Sequence, residues 1–118
     1  MPRIQRAISI RQPWVELILR GEKTHEFRSQ PTNIRERVYL YASLKPANWP
    51  PAWRKLGKEK GELPVGVIVG TVEIAGCSYR AASNEYAYAF RDPKRLRTPL
   101  RPKNQPQPGF WRPKFVSV

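Results

Sequence analysis

Ile8-Ser9-Ile10-Arg11-Gln12-Pro13-Trp14-Val15-Glu16-Leu17-Ile18-Leu19-Arg20-Gly21-Glu22-Lys23-Thr24-His25-Glu26-Phe27-Arg28 changes its hydrophobic period twice. Ala7 to Ile10 reads as a first strand, rich in β-branched side chains. Pro13 suits the first turn of a helix, where its missing N–H costs nothing. Trp14, Leu17 and Ile18 then form one helical stripe that Val15 and Leu19 widen, and Glu16 and Arg20 are spaced i,i+4 on the outer side. Gly21 is placed as the left-handed stop after that helix. From Thr24 the period becomes two, with Thr24, Glu26 and Arg28 on one face and His25 and Phe27 on the other. The stretch therefore predicts strand, short helix, glycine stop and strand.

Outward from it, residues 29–37 read as a loop. Val38 to Ala42 is a strand that Ser43 ends, with Val38, Leu40 and Ala42 alternating against Tyr39 and Tyr41. Residues 45–63 are a Trp- and Lys-rich excursion with room for one helical turn near Ala52–Leu56. Val65 to Ala75 reads as a central strand buried on both faces, and Gly66 and Gly70 within it predict the sharp bend that closes a small barrel. Tyr86 to Phe90 alternates as a further strand, and Gly109-Phe110-Trp111 adds a last short one. The expected fold is α+β, a small β-barrel of about five or six strands with one or two short helices.

A chain of 118 residues is expected to be one domain, residues 1–118. At that length roughly two-thirds of the unfolded surface is buried, enough for a core without staples. The 13 prolines fall mostly in connections and imply irregular loops around a compact centre. Cys77 and His25 are each the only residue of their kind, so neither a disulfide framework nor a zinc site is expected. With no glycine-rich phosphate loop either, no metal or cofactor is expected. No apolar run approaches the ~20 residues of a bilayer span and no signal-peptide core is present, which predicts a cytoplasmic protein that does not enter membranes. The 22 Lys and Arg against 9 Asp and Glu, a net charge of +13, point to a polyanionic partner: RNA or DNA.

Lys23, Glu26 and Arg28 are the foremost candidate site. If their face lines a cleft, the carboxylate can accept hydrogen bonds from a base, while Lys23 and Arg28 hold a phosphate or polarise a carbonyl. The spacing equally allows an Arg28–Glu26 ion pair closing a barrel end. Ser9, Arg11, Gln12 and Trp14 mark the strand-to-helix junction, where polar groups can meet a ligand; Trp14 begins the apolar stripe and reads as core. Ser43 ends a strand and is ambiguous in the same way. The segment 91–114 carries eight basic residues against Asp92 alone, interleaved with Phe110 and Trp111. Cations that track phosphates beside rings that stack on bases suit single-stranded nucleic acid, and Arg95, Arg97, Lys103 and Arg112 are assigned to it. Its bland counterpart is a solvated, proline-stiffened loop. Trp49 and Trp53 beside Lys45, Arg54 and Lys55 repeat the theme more weakly. His25 lacks a partnered Ser or Cys, which argues against a nucleophilic triad.

Ser9-Ile10-Arg11-Gln12-Pro13-Trp14, followed by Gly21-x-Lys23-x-x-Glu26-x-Arg28, resembles an ASCH domain of the PUA-like superfamily. The Val38–Ser43 strand, Gly70-Thr71-Val72-Glu73 and the terminal Pro-Gly-Phe-Trp follow in the family's order, so the chain resembles a stand-alone, prokaryotic-type member. The resemblance implies a β-barrel with a cleft beside the first helix and a role in RNA or DNA binding. It also implies an alternative, a small hydrolase acting on RNA or on a modified nucleoside, with Lys23 and Glu26 as catalytic residues. One branch removes the acetyl group of N4-acetylcytidine with a Lys, a Thr three residues later and a downstream Glu. Lys23 matches that pattern, Glu26 stands where the Thr would be, and Glu85 is the nearest candidate for the downstream Glu.

Overall fold

The structure, a computed structural model, describes residues 3–115. Their elements run β1 (Ala7–Ile10), α1 (Trp14–Leu19), β2 (His25–Arg28), β3 (Arg37–Ala42), α2 (Pro50–Leu56), β4 (Val67–Arg80), β5 (Glu85–Leu100) and β6 (Phe110–Trp111). The six strands form one sheet in the order β2-β5-β4-β3-β1-β6. Only β1 and β3 pair in parallel, Ala7 opposite Tyr39 through Ile10 opposite Ala42; the other pairings are antiparallel. A parallel pair needs a crossover. Here that crossover contains α1 and β2, and it carries both across the sheet.

One face packs Ile8, Ile10, Val38, Leu40, Val72, Ile74 and Tyr88 against Val15 and Ile18 of α1. The opposite face is also covered: Ala7, Tyr41, Ile68 and Trp111 cluster there, with Leu96 and Leu100 of β5 against them. Tyr41, set against Leu40 by simple alternation, is therefore buried too. Helix α2 is held by a third cluster of Leu17, Ala52 and Leu56.

The α+β class, the six strands and the two short helices agree with expectation, but the sheet is not closed: β2 and β6 remain its edges and do not pair. Its curl comes from β-bulges. Three register shifts interrupt the β4–β5 ladder, between Ile68 and Gly70, Thr71 and Glu73, and Ile74 and Gly76, and each bends the strand that carries it. Arg28 on β2 spans the open seam, donating from Nη2 to the Ser9 carbonyl of β1 at 2.8 Å.

The segment 91–114 is not irregular throughout. Its first ten residues continue β5, pairing Lys94 with Thr71, Arg95 with Gly70 and Leu100 with Ile68. Gly70 permits this approach, because a Cβ there would lie 2.6 Å from the Lys94 carbonyl and 2.5 Å from Leu19 Cδ2. Gly70→Ala is accordingly expected to cost about 1–3 kcal/mol, the usual penalty of overpacking. Urea denaturation measures it, and an unchanged midpoint would show that β5 can move aside freely.

Candidate functional site

The site begins with the way α1 stops. Gly21 has φ +77; its N–H donates to Ile18 O at 3.0 Å, and the N–H of Glu22 donates to Leu17 O at 2.9 Å. This is the paired 5→2 and 6→1 closure of a Schellman motif. The Lys23 N–H joins the same Leu17 carbonyl at 3.1 Å, which fixes the backbone of Lys23 against the last turn of α1. The ammonium then rests 5.3 Å from the centroid of the Trp14 ring and 5.5 Å from that of Phe27, within the range of cation–π attraction.

Glu26 is held by Arg28. Its Oε2 accepts from Arg28 Nε at 2.9 Å and from Nη2 at 2.8 Å. Its Oε1 lies 3.6 Å from Lys23 Nζ, an ion pair longer than a hydrogen bond. One carboxylate oxygen is thus fixed and the other is left to accept from a ligand. The Glu26 and Lys23 side chains are 14% and 19% exposed, so both are reachable but largely dry. Beneath them Tyr88 donates its hydroxyl to Gln30 O at 2.6 Å. Burial pushes that phenol above its ordinary 10.0, with the Arg28 charge opposing, so it stays a donor at neutral pH.

These groups open onto one hollow of about 660 Å³ between β2 and the ends of β1 and β3. Ser9, Arg11, Lys23, Glu26, Arg28 and Ser43 all line it, joined by Trp14, Phe27 and Lys45. That volume is in the range of small-molecule sites, about 300–1,000 Å³. Phe27 contributes although it alternates with Glu26 and Arg28, its exposed ring standing 5.5 Å from Lys23 Nζ. Trp14 is half-buried, part of the core and part of the wall. Neither role of Phe27 and Trp14, nor that of Lys45, followed from periodicity. The cue in hindsight is positional: Phe27 sits inside the Lys23–Arg28 motif, Lys45 lies two residues beyond Ser43, and Trp14 closes the strand-to-helix junction.

Other sequence candidates lie elsewhere or are already engaged. Gln12 is fully buried and does not reach the hollow: its Oε1 accepts from the Glu16 N–H at 3.1 Å and its Nε2 donates to Pro64 O at 3.1 Å. The Ser9 hydroxyl lines the hollow yet donates to Gln107 O and accepts from Trp111 Nε1. Arg95 forks onto Glu16, Nη1 to Oε1 and Nη2 to Oε2, each at 2.9 Å. Glu16, read as outward-facing, is buried beneath it. Arg97 and Lys103 are exposed outside the hollow, and Arg112 donates to Gln5 Oε1 at 2.9 Å. Phe110 stacks on Tyr88 and Trp111 is buried against Tyr41, so neither ring is offered to a base. Glu85 pairs with Arg80 where the β4–β5 hairpin opens and does not line the hollow. Among the described residues, no group of three or more His, Cys, Asp or Glu could hold a metal ion, and no helix is long and apolar enough to cross a membrane.

A curled, mostly antiparallel six-stranded sheet with α1 packed beside a lined hollow defines a small α+β domain. The chain belongs to the ASCH domain family, whose model matches residues 8–104; it is a family proposed to bind RNA. Similar solved structures include an ASCH protein from Zymomonas mobilis, 16% identical with a TM-score of 0.63, covering 94% of this chain and 88% of that one. A tyrosine-to-phenylalanine variant of it gives 16% identity and a TM-score of 0.63 over 93% and 90% of the two chains. A serine-to-alanine variant gives 17% and 0.62 over 95% and 90%. At that identity the likeness is one of fold. No curated protein matches the sequence.

Proposed function

We propose that this chain binds nucleic acid, single-stranded RNA in preference to DNA, by seating a nucleotide in the hollow at the sheet seam. The observation that carries the reading is the composition of that hollow: Arg11, Lys23, Arg28 and Lys45 face Glu26 alone, beside the rings of Trp14 and Phe27. Arg11 and Lys45 have no hydrogen-bonding or ionic side-chain partner among the described residues, so their charge is available to phosphate. The free oxygen of Glu26 suits the amino or imino edge of an unstacked base, which a single strand exposes and a duplex conceals. Arg97, Lys103 and Arg112 would extend the backbone contacts in this reading, whereas Arg95 is committed to Glu16.

Titration of an unstructured RNA at rising salt tests it. Log K should fall linearly with log salt by about 0.7 per phosphate contact, and Arg11→Ala/Lys45→Ala should flatten the slope by about 1.4. An affinity indifferent to salt, or a slope unchanged in the double variant, overturns the assignment.

The hydrolase reading has one specific observation in its favour, the Lys23 ammonium 3.6 Å from the Glu26 carboxylate in the same hollow, which puts a cation and a carboxylate within reach of one bound group. Incubation with N4-acetylcytidine and with unstructured RNA separates the two readings. Turnover abolished by Lys23→Ala assigns an enzyme; binding without turnover assigns a binding domain.

A further inference from the structure

A second, smaller hollow of about 330 Å³ adjoins the first and shares Trp14 and Lys23 with it. Its other wall is Pro51 and Ala52 of α2 with Trp49, the residue that leads into the helix, and Glu22 and Lys55 stand at its rim. The two tryptophans of this excursion have opposite roles. Trp53 is buried and donates from Nε1 to Ala47 O at 2.8 Å, anchoring the loop, while Trp49 is 55% exposed. Ala52 and Leu56 pack on Leu17 of α1, so α2 is a fixed platform rather than a free loop. An indole held at the lip of a groove, on an anchored element and with no core to serve, has a face free to stack on a planar ligand.

We infer that this groove is a second nucleotide subsite, so that one single strand runs from the first hollow past Trp14 and Lys23 onto Trp49. The inference rests on the reading of the first hollow as a nucleotide site and extends it from one base to two. The shared wall explains the position of Lys23: its ammonium lies where the phosphate linking two successive nucleotides would cross from one hollow to the other. Lys55 faces the groove from α2, and its 3.8 Å contact with Glu22 is a surface pair between exposed side chains, weak enough to exchange for a phosphate. Glu22 would then be free to accept from the second base. A protein partner is disfavoured, because the shared lysine and Lys55 give the groove one positive charge more than Glu22 removes and because it continues into a more cationic hollow.

Calorimetric titration of 5′-UMP and of the 5′-phosphorylated dinucleotide pUpU tests the inference in the intact chain, in Trp49→Ala and in Trp49→Phe. The intact chain is expected to bind pUpU at least about fivefold more tightly than 5′-UMP, the low end of one aromatic–base stack. Trp49→Ala should remove that gain, and Trp49→Phe should keep most of it. Equal affinity of the intact chain and Trp49→Ala for pUpU overturns the second subsite even if 5′-UMP binds. Failure of 5′-UMP together with a pUpU affinity that still depends on Trp49 overturns the first hollow and leaves the groove standing. Binding of neither ligand overturns both and turns the groove over to a protein partner.

Discussion

Arg20→Ala/Arg95→Ala is expected to destabilise the fold by about 1–3 kcal/mol, the cost of stripping a carboxylate of its charge-assisted hydrogen bonds while water reaches it from the side Arg95 covered. Glu16 is 8% exposed and takes three guanidinium hydrogen bonds, one from Arg20 Nε at 2.8 Å and two from Arg95 at 2.9 Å. Glu16→Gln should cost less, since the two arginines it releases are 40% and 52% exposed and can return to water. The same cluster sets a pH dependence. Burial alone would raise the Glu16 carboxyl, but the hydrogen bonds and charges of Arg95 and Arg20 outweigh it and hold the group below its ordinary 4.5. A depressed carboxyl contributes stability that is present above pH 4.5 and is lost as pH falls through its lower folded value. Melting temperature should therefore drop on acidification below that point, and less so in Glu16→Gln. Identical acid profiles for the two proteins would contradict the ion cluster as drawn.

Arg28→Ala should weaken single-stranded RNA binding at least about tenfold and destabilise the chain by about 2 kcal/mol, the scale of a hydrogen bond to a charged group. The guanidinium joins the Glu26 carboxylate to the Ser9 carbonyl, with bonds of 2.8 and 2.9 Å, so it both spans the open seam and aims the acceptor of the site. Arg28→Lys should not restore either property, because a single ammonium cannot reproduce a planar fork. Denaturation curves and RNA titrations on the same preparations separate the two effects. A lysine variant that folds and binds like the parent would show that charge alone is needed there.

Much of this was legible in the chain because it is local. The apolar stripe of α1, its stop at Gly21 and the switch to period two at Thr24 together place Lys23, Glu26 and Arg28 on consecutive short elements, and the structure gathers all three at one hollow. The outer half of β5 was hidden. Pro93, Pro99 and a run of arginines read as loop, but that half pairs only with β4, leaving one edge unpaired where proline is tolerated. The burial of Glu16 was hidden for a different reason. Its i,i+4 partner Arg20 is visible along the helix, whereas Arg95, which covers it, is 79 residues away. Phe110 and Trp111 were misread for want of the same long-range information: rings next to cations suit stacking on RNA, yet these rings pack against Tyr88 and Tyr41.

Ultraviolet cross-linking of a uridine-rich single-stranded RNA, with the adducts mapped by mass spectrometry, tests the nucleotide-binding hollow most directly. Adducts on Trp14 and Phe27, lost in Lys23→Ala/Arg28→Ala, are the predicted result. Adducts confined to residues 91–114, with the peptide spanning residues 12–28 unmodified, would contradict it and leave the positive charge as a surface attractor without a site.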